Sequence, residues 1–152
     1  MATFVKYAMT GVVLLTLAIA TPELAEASPG QKGIVGAWVI EGQPDGGGPG
    51  FINIGAIHRD GTMSNADPLF GAGHGVWKRS GRRSFAVRFV TIVSPFNAIL
   101  PNTIITVNGN LYLDKSRKLV TGDFETTFTD LDGNPVMPVS TGTIKLTRIT
   151  TD

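Results

Sequence analysis

The sequence predicts an all-β fold, a single up-and-down antiparallel barrel of about eight strands. Three observations lead to this prediction. After Ala27, apolar residues recur with the period of two that is typical of strands, and no segment shows a helical period. The runs are short and are separated by turns rich in Gly, Asp, Asn and Pro. Their number suits a barrel or a two-sheet sandwich. Of the two, a barrel leaves no unpaired edge strand.

Met1 to Ala27 have the form of a secretory signal peptide. Lys6 precedes an apolar run from about Ala8 to Ala20, and Pro22 and an A-x-A sequence ending at Ala27 follow it. A membrane helix needs roughly 20 apolar residues, so a retained anchor is the less favoured alternative. We predict a signal peptide over residues 1–27, a barrel domain over 28–152, and a secreted or periplasmic location.

Composition excludes several classes of function. The chain has no cysteine, which excludes disulfides, a thiol nucleophile and thiolate metal ligands. The net charge is only +1, and the one basic cluster, Lys78 to Arg83, straddles a predicted turn and is interpreted as a solvated tip. We therefore predict no nucleic-acid partner. No segment after the signal is apolar enough to predict membrane insertion.

The first two strands flank a glycine-rich segment. The sequence GIVGAWVI, Gly33–Ile40, is apolar on both faces and is predicted as the first strand. Glu41–Gly50 is predicted as a loop because of its glycines. The second strand, Phe51–His58, ends at Arg59–Thr62, whose Asp-Gly step favours a tight hairpin. A short partner strand of sequence TMSNAD follows.

The middle of the chain predicts a loop and a further hairpin. PLFGAGHG, Pro68–Gly75, is predicted as a loop. VWKR and SFAVRFVTIV form a hairpin around Ser80–Arg82, and the second of these strands alternates as a half-buried strand does. Phe96–Pro101 makes a longer connection to the strand Thr103–Leu113.

The last two strands are LVTGDFETTFTD and VSTGTIKLTRI, separated by the turn Leu131–Pro135. Alternation through all strands defines one mainly apolar inward set. Its members are Trp38, Ile40, Trp77, Phe85, Val87, Phe89, Thr91, Leu111, Phe124, Thr126, Phe128, Ile144 and Leu146. Such walls suit a pocket for an apolar or amphipathic molecule. They equally suit a barrel filled by its own side chains.

Gly36-Ala37-Trp38 in the first strand and Arg148 in the last resemble the lipocalin-like, or calycin, superfamily. The resemblance implies that Trp38 closes one end of the barrel and that Arg148 packs over its ring, with Gly36 part of the same closure. The chain also resembles small secreted bacterial proteins with the pattern G-x-W, D-G-T and H-G-x-W-x-R-x-G, here Gly36 to Trp38, Asp60 to Thr62 and His74 to Gly81.

Candidate site residues are few. His74 lies between glycines and is a candidate acid or base, with a loop histidine as the alternative. The predicted ligand pocket comprises His74, Trp77, Phe85, Phe89, Phe124 and Phe128. His58, Asp60, Asp67 and Asp130 are interpreted as turn residues. Two histidines cannot form a three-histidine zinc site, and we predict no metal and no other cofactor.

The sequence leaves three functional hypotheses. The first is an exported lipocalin-like barrel that binds a small hydrophobic or amphipathic ligand. The second is a barrel cyclase or isomerase, which resembles allene oxide cyclases and dirigent proteins in confining an apolar substrate. His74 and Trp77 would be its first candidate residues. The third is a filled barrel that acts through its outer surface. No G-x-S-x-G nucleophile motif is present, and the run DGGGPG lacks the Lys-Ser/Thr of a phosphate loop.

Overall fold

The computed structural model describes residues 33–151, so the predicted signal peptide lies outside the described residues. Within this range no helix is long and apolar enough to cross a membrane. The range contains eight strands. In chain order they are β1 (Gly36–Pro44), β2 (Phe51–Ile57), β3 (Thr62–Asp67), β4 (Gly71–Arg79), β5 (Ser84–Ile92), β6 (Ile104–Leu113), β7 (Leu119–Thr129) and β8 (Pro135–Arg148).

The strands form one closed barrel in which each strand is antiparallel to the next. β1 pairs with β8 over seven residue pairs, from Trp38 opposite Arg148 to Pro44 opposite Gly142. This pairing removes both sheet edges, and it confirms the predicted barrel against the sandwich.

The two ends of the barrel differ. Residues 58–61, 80–83 and 114–118 form tight turns at the end where β1 begins and β8 finishes, which we call the closed end. The other end, called the open end, carries four loops. They are residues 45–50, 68–70, 93–103 and 130–134.

Three predicted boundaries are wrong. β1 continues through Pro44, inside the segment that we predicted as a loop. β4 begins at Gly71, so all of GAGHG, which we predicted as loop, is strand. A side chain at Gly73 would collide with Phe89 and Thr91 of β5, and the glycine therefore makes room for two cross-strand neighbours. β8 begins at Pro135, and the register between β7 and β8 shifts on both sides of Phe128.

The predicted inward set is confirmed. Trp38, Phe85 and Leu146 are at most 2% exposed and lie in the core with Ile34 and Val120. The remaining predicted residues are also buried or half-buried. They are Ile40, Trp77, Val87, Phe89, Thr91, Leu111, Phe124, Thr126, Phe128 and Ile144.

Candidate functional site

The closed end is sealed by the side chain of Arg148. Its Cζ lies 4.2 Å from the ring centroid of Trp38, which is the expected cation-π contact. Its Nη1 donates to the carbonyl of Val35 at 2.8 Å, its Nε to the carbonyl of Arg117 at 2.7 Å, and its Nη2 to the carbonyl of Gly33. Burial lowers the pKa of Arg148, but a guanidinium remains protonated in proteins.

Gly36 leaves the space that this guanidinium occupies. Its φ of 147° is unusual for a residue with a side chain, and an added Cβ would collide with Nη1 of Arg148. Trp38 is fully buried and donates from Nε1 to the carbonyl of Ile34 at 3.0 Å. The glycine of the G-x-W sequence thus leaves room for the arginine, while the tryptophan belongs to the buried core beneath it.

Between this seal and the open end lie two adjoining hollows, which together we call the interior cavity. The outer hollow has a volume of about 160 Å³ and the deeper one about 70 Å³. They share six lining residues, namely Phe51, Asn53, Asn65, Phe89, Val107 and Phe124. The outer hollow is close to the roughly 150 Å³ of an apolar cavity that accepts one benzene molecule.

Aromatic rings of the cavity lie against glycines of neighbouring strands. The ring of Phe51 covers Gly42, and the ring of Phe124 covers Gly142, so a Cβ at either glycine would collide with a ring. Phe51 and Phe124 meet edge to face, with ring centroids 5.7 Å apart. The small residues on β1 and β8 therefore determine the shape of the apolar wall.

Two buried polar atoms face this apolar space. Asn53 is only 8% exposed. Its Oδ1 and the Oδ1 of Asn65 are buried without a hydrogen-bond partner in the described part of the chain. Leaving a buried acceptor unsatisfied costs about 1–3 kcal/mol. The pair is therefore the most unusual feature of the cavity.

Asp67 adds a carboxylate at the mouth of the outer hollow. Its Oδ1 accepts from the backbone N–H of Leu69 at 2.7 Å and of Phe70 at 2.9 Å. The predicted turn role is therefore confirmed. The same half-buried residue also lines the cavity, which the sequence analysis did not predict.

The predicted pocket residues separate into two groups. Phe89 and Phe124 line both hollows, and Phe128 lines the outer one. Trp77 and Phe85 instead pack edge to face in the core, with ring centroids 5.8 Å apart, and they do not line the interior cavity. The indole Nε1 of Trp77 donates to the carbonyl of His58 at 2.8 Å.

His74 lies on the outer wall. It is exposed, alternates with the inward Gly73 and stands opposite Ser64 of β3. Ser64 Oγ is 3.3 Å from Nε2 of His58, so the fold brings a serine beside both histidines. This group faces solvent outside the barrel and cannot act on a molecule in the interior cavity.

Larger hollows of about 860 and 770 Å³ lie on the outer wall, the first against β4 to β8 and the second against β1 and β5 to β8. Their lining includes exposed charged side chains such as Arg88, Glu125 and Lys145. Solvent already hydrates these groups, so little is gained by covering them. A recess with apolar walls and a few convergent polar groups is the more usual ligand site. Within residues 33–151, no group of three or more metal-ligating side chains is present.

Sequence reasoning missed Phe51, Asn53, Asn65 and Phe70. β2 reads FINIGAI, in which Ile52 and Ile54 suggest the inward face, yet they are 62% and 58% exposed. One feature of the sequence does indicate the inward face of β2. The bulky Trp38 needs a small cross-strand neighbour, and Gly55 stands opposite it. An inward Gly55 places Asn53 inward as well.

Comparison with known proteins places the chain in no family. No family model matches the sequence, and no curated protein matches it. The closed eight-stranded antiparallel barrel is consistent with a lipocalin-like fold. Fold alone does not imply function, so the interior cavity is the feature that bears on function.

Proposed function

We propose that the protein is an exported, lipocalin-like barrel that binds a small hydrophobic or amphipathic molecule in its interior cavity. One observation supports this most directly. An apolar hollow of about 160 Å³ adjoins a deeper one of about 70 Å³ in a barrel whose opposite end is sealed. The exported location rests on the form of residues 1–27.

The shape of the cavity favours binding over simple packing. Phe51, Phe89 and Phe124 form walls around space that their side chains do not fill. Transfer of an apolar molecule from water into such a site gains about 25 cal/mol for each Å² of apolar surface removed from water. Because the walls are held by the closed sheet, little ordering entropy opposes binding.

The test is a titration of the purified protein with toluene, followed by the chemical shifts of cavity methyl groups. Val107, which lines both hollows, is replaced in Val107→Phe to fill the space. Val76→Phe is the matched control, because Val76 is 58% exposed on the outer wall. We expect saturable binding that Val107→Phe weakens about tenfold or more and Val76→Phe leaves unchanged.

Absence of saturable toluene binding to the unmodified protein would reject this function. So would equal binding by the Val107→Phe variant. The cyclase or isomerase alternative would require reacting groups inside the barrel. Its first candidate, His74, lies on the outer wall, and this placement favours binding without chemistry.

A further inference from the structure

We propose that the interior cavity selects a ligand whose polar end donates hydrogen bonds, in particular a primary ammonium group, attached to an apolar body of about one ring. This inference rests on the proposed binding function and names the chemical class of its ligand. It excludes carboxylates such as fatty acids from the preferred ligands.

The two unsatisfied oxygens favour a ligand that donates hydrogen bonds. Asn53 Oδ1 and Asn65 Oδ1 are both buried without a donor, and both residues line the two hollows. An amide oxygen accepts hydrogen bonds and cannot donate them. A ligand that donates to these atoms removes their desolvation cost, whereas a ligand that only accepts leaves them unsatisfied.

Asp67 supplies a third acceptor on the same side of the barrel. Asn65 and Asp67 share the inward parity of β3. Asn53 and Asp67 each lie one residue beyond the last paired residues of their strands, Ile54 and Ala66. An ammonium group has three donors on one atom. Three oxygen acceptors, one of them charged, suit it better than they suit a hydroxyl group.

The charges around the cavity favour a cation. Asp67 is the one charged residue among the described residues that line the interior cavity. At or beside the open-end loops lie Asp45, Asp67, Asp130 and Asp132, and those loops contain no Lys, Arg or His. Such a mouth attracts cations and repels carboxylates. A carboxylate in the cavity would also lack a positive partner, which makes its burial unfavourable.

The opposite end holds two aspartates, Asp60 and Asp114, and most of the basic residues of the described range. These basic residues lie in or beside the closed-end turns, and they are Arg59, Lys78, Arg79, Arg82, Arg83, Lys115, Arg117, Lys118 and Arg148. The closed end is sealed, so these positive charges do not line the route into the cavity. The negative mouth is therefore what an entering molecule meets.

Molecules with one aromatic ring match the size of the outer hollow and serve as probes. Benzylamine, benzyl alcohol, benzoate and toluene share one ring and differ at one substituent, and one ring fits a cavity of about 160 Å³. Calorimetric titration of the purified protein at neutral pH compares protonated benzylamine with ionised benzoate. We expect benzylamine to bind about tenfold or more tightly than benzoate, with benzyl alcohol between them.

Three variants assign the preference to named atoms. Asn53→Leu and Asn65→Leu each replace an acceptor by an apolar side chain of similar volume. Each variant should bind benzylamine about tenfold more weakly than the unmodified protein, and it should bind toluene equally well or more tightly. Asp67→Asn retains an oxygen for the turn but removes the charge. It should therefore lower the affinity for benzylamine more than the affinity for benzyl alcohol. Asn108→Leu, at an exposed position of β6, is the matched control and should leave the affinities for benzylamine and toluene unchanged.

The outcomes separate this inference from the function on which it rests. If toluene binds but benzoate binds as tightly as benzylamine, the cavity is a binding site and the ammonium preference is wrong. Unchanged benzylamine affinity in both leucine variants would also overturn it, with toluene binding as the check that each variant is folded. If no probe binds, toluene included, the proposed function fails first.

Discussion

Arg148 joins three separate parts of the closed end through one side chain. Its guanidinium contacts the ring of Trp38 and donates to carbonyls of the segment before β1 and of the turn between β6 and β7. The planar group presents several donors in a fixed arrangement, which an ammonium cannot reproduce. The position therefore requires arginine and not merely a positive charge.

Replacing Arg148 by lysine should lower the free energy of unfolding by about 2 kcal/mol, because one cation-π contact weakens and most of the charged hydrogen bonds are lost. Urea unfolding measures the change. The control is Lys145→Ala, which removes an exposed ion pair with Glu41 at 2.9 Å and should cost less than about 1 kcal/mol. An Arg148→Lys variant as stable as the unmodified protein would contradict the role of the guanidinium.

The two cavity asparagines show where residue-level reading fails. A polar residue between two isoleucines, as in Ile52-Asn53-Ile54, is ordinarily read as outward because polar side chains favour water. In β2 the opposite holds, because Asn53 is buried and the two isoleucines are exposed. The register with β1 fixes this parity. Alternation alone gives the period of a strand but not which face turns inward.

At the scale of elements, the turns were predictable because their chemistry is local. Asp60 accepts from the backbone N–H of Thr62 at 2.9 Å and from its hydroxyl at 2.6 Å. Asp130 accepts from the N–H of Asn134 at 2.8 Å. Each interaction joins residues that are at most four apart, so the sequence contains all of its partners.

β4 was not predictable in the same way. Its glycines were interpreted as loop residues, yet Gly73 and Gly75 lie in the strand because atoms of β5 occupy the space of their side chains. Gly73 stands opposite Thr91, eighteen positions later. Whether a glycine marks a loop or accommodates a neighbour depends on such distant pairing.

The turn carboxylates should make stability depend on pH in the acid range. The side chain of Thr62 lowers the pKa of Asp60, and the side chain of Asn134 lowers the pKa of Asp130. An unfolded aspartate titrates near pH 3.9. The unfolded chain therefore binds more protons below that pH than the folded chain, and the stabilisation is lost as pH falls through the folded pKa values.

Chemical denaturation from pH 7 to pH 3 measures this dependence. We expect the contribution of these groups to be constant above about pH 5 and to decline at lower pH. Thr62→Val keeps a β-branched residue but removes the hydroxyl donor to Asp60, so its profile should be flatter in the acid range. A stability that rises as pH falls from 5 to 3 would contradict this account.

At the scale of the whole molecule, the barrel was predictable and the state of its interior was not. Eight short alternating runs and a lipocalin-like pair, Trp38 and Arg148, suffice to predict closure. Whether inward residues fill the barrel depends on how far each ring reaches across it. The rings of Phe51 and Phe124 occupy the space beside Gly42 and Gly142, and the cavity remains next to them. That geometry arises from three-dimensional packing between strands distant in sequence.

Closure has a measurable consequence for β1 and β8. In an open sheet these would be edge strands, and half of their backbone groups would exchange with solvent. In the barrel, Ile40 and Leu146 face each other across a continuous ladder. Hydrogen exchange should show the amides between β1 and β8 protected to the same level as those between β5 and β6. Rapid exchange confined to β1 and β8 would indicate that the sheet opens at this seam.

The separation of charge along the barrel has an effect beyond the cavity. Within residues 33–151, most arginines and lysines lie around one end and four aspartates around the other, so these charges give the barrel a dipole roughly parallel to its axis. A dipole experiences a torque in an external field. Beside a negatively charged surface, the sealed base would turn toward that surface and the mouth would point into solution. In that orientation, adsorption leaves the entrance accessible.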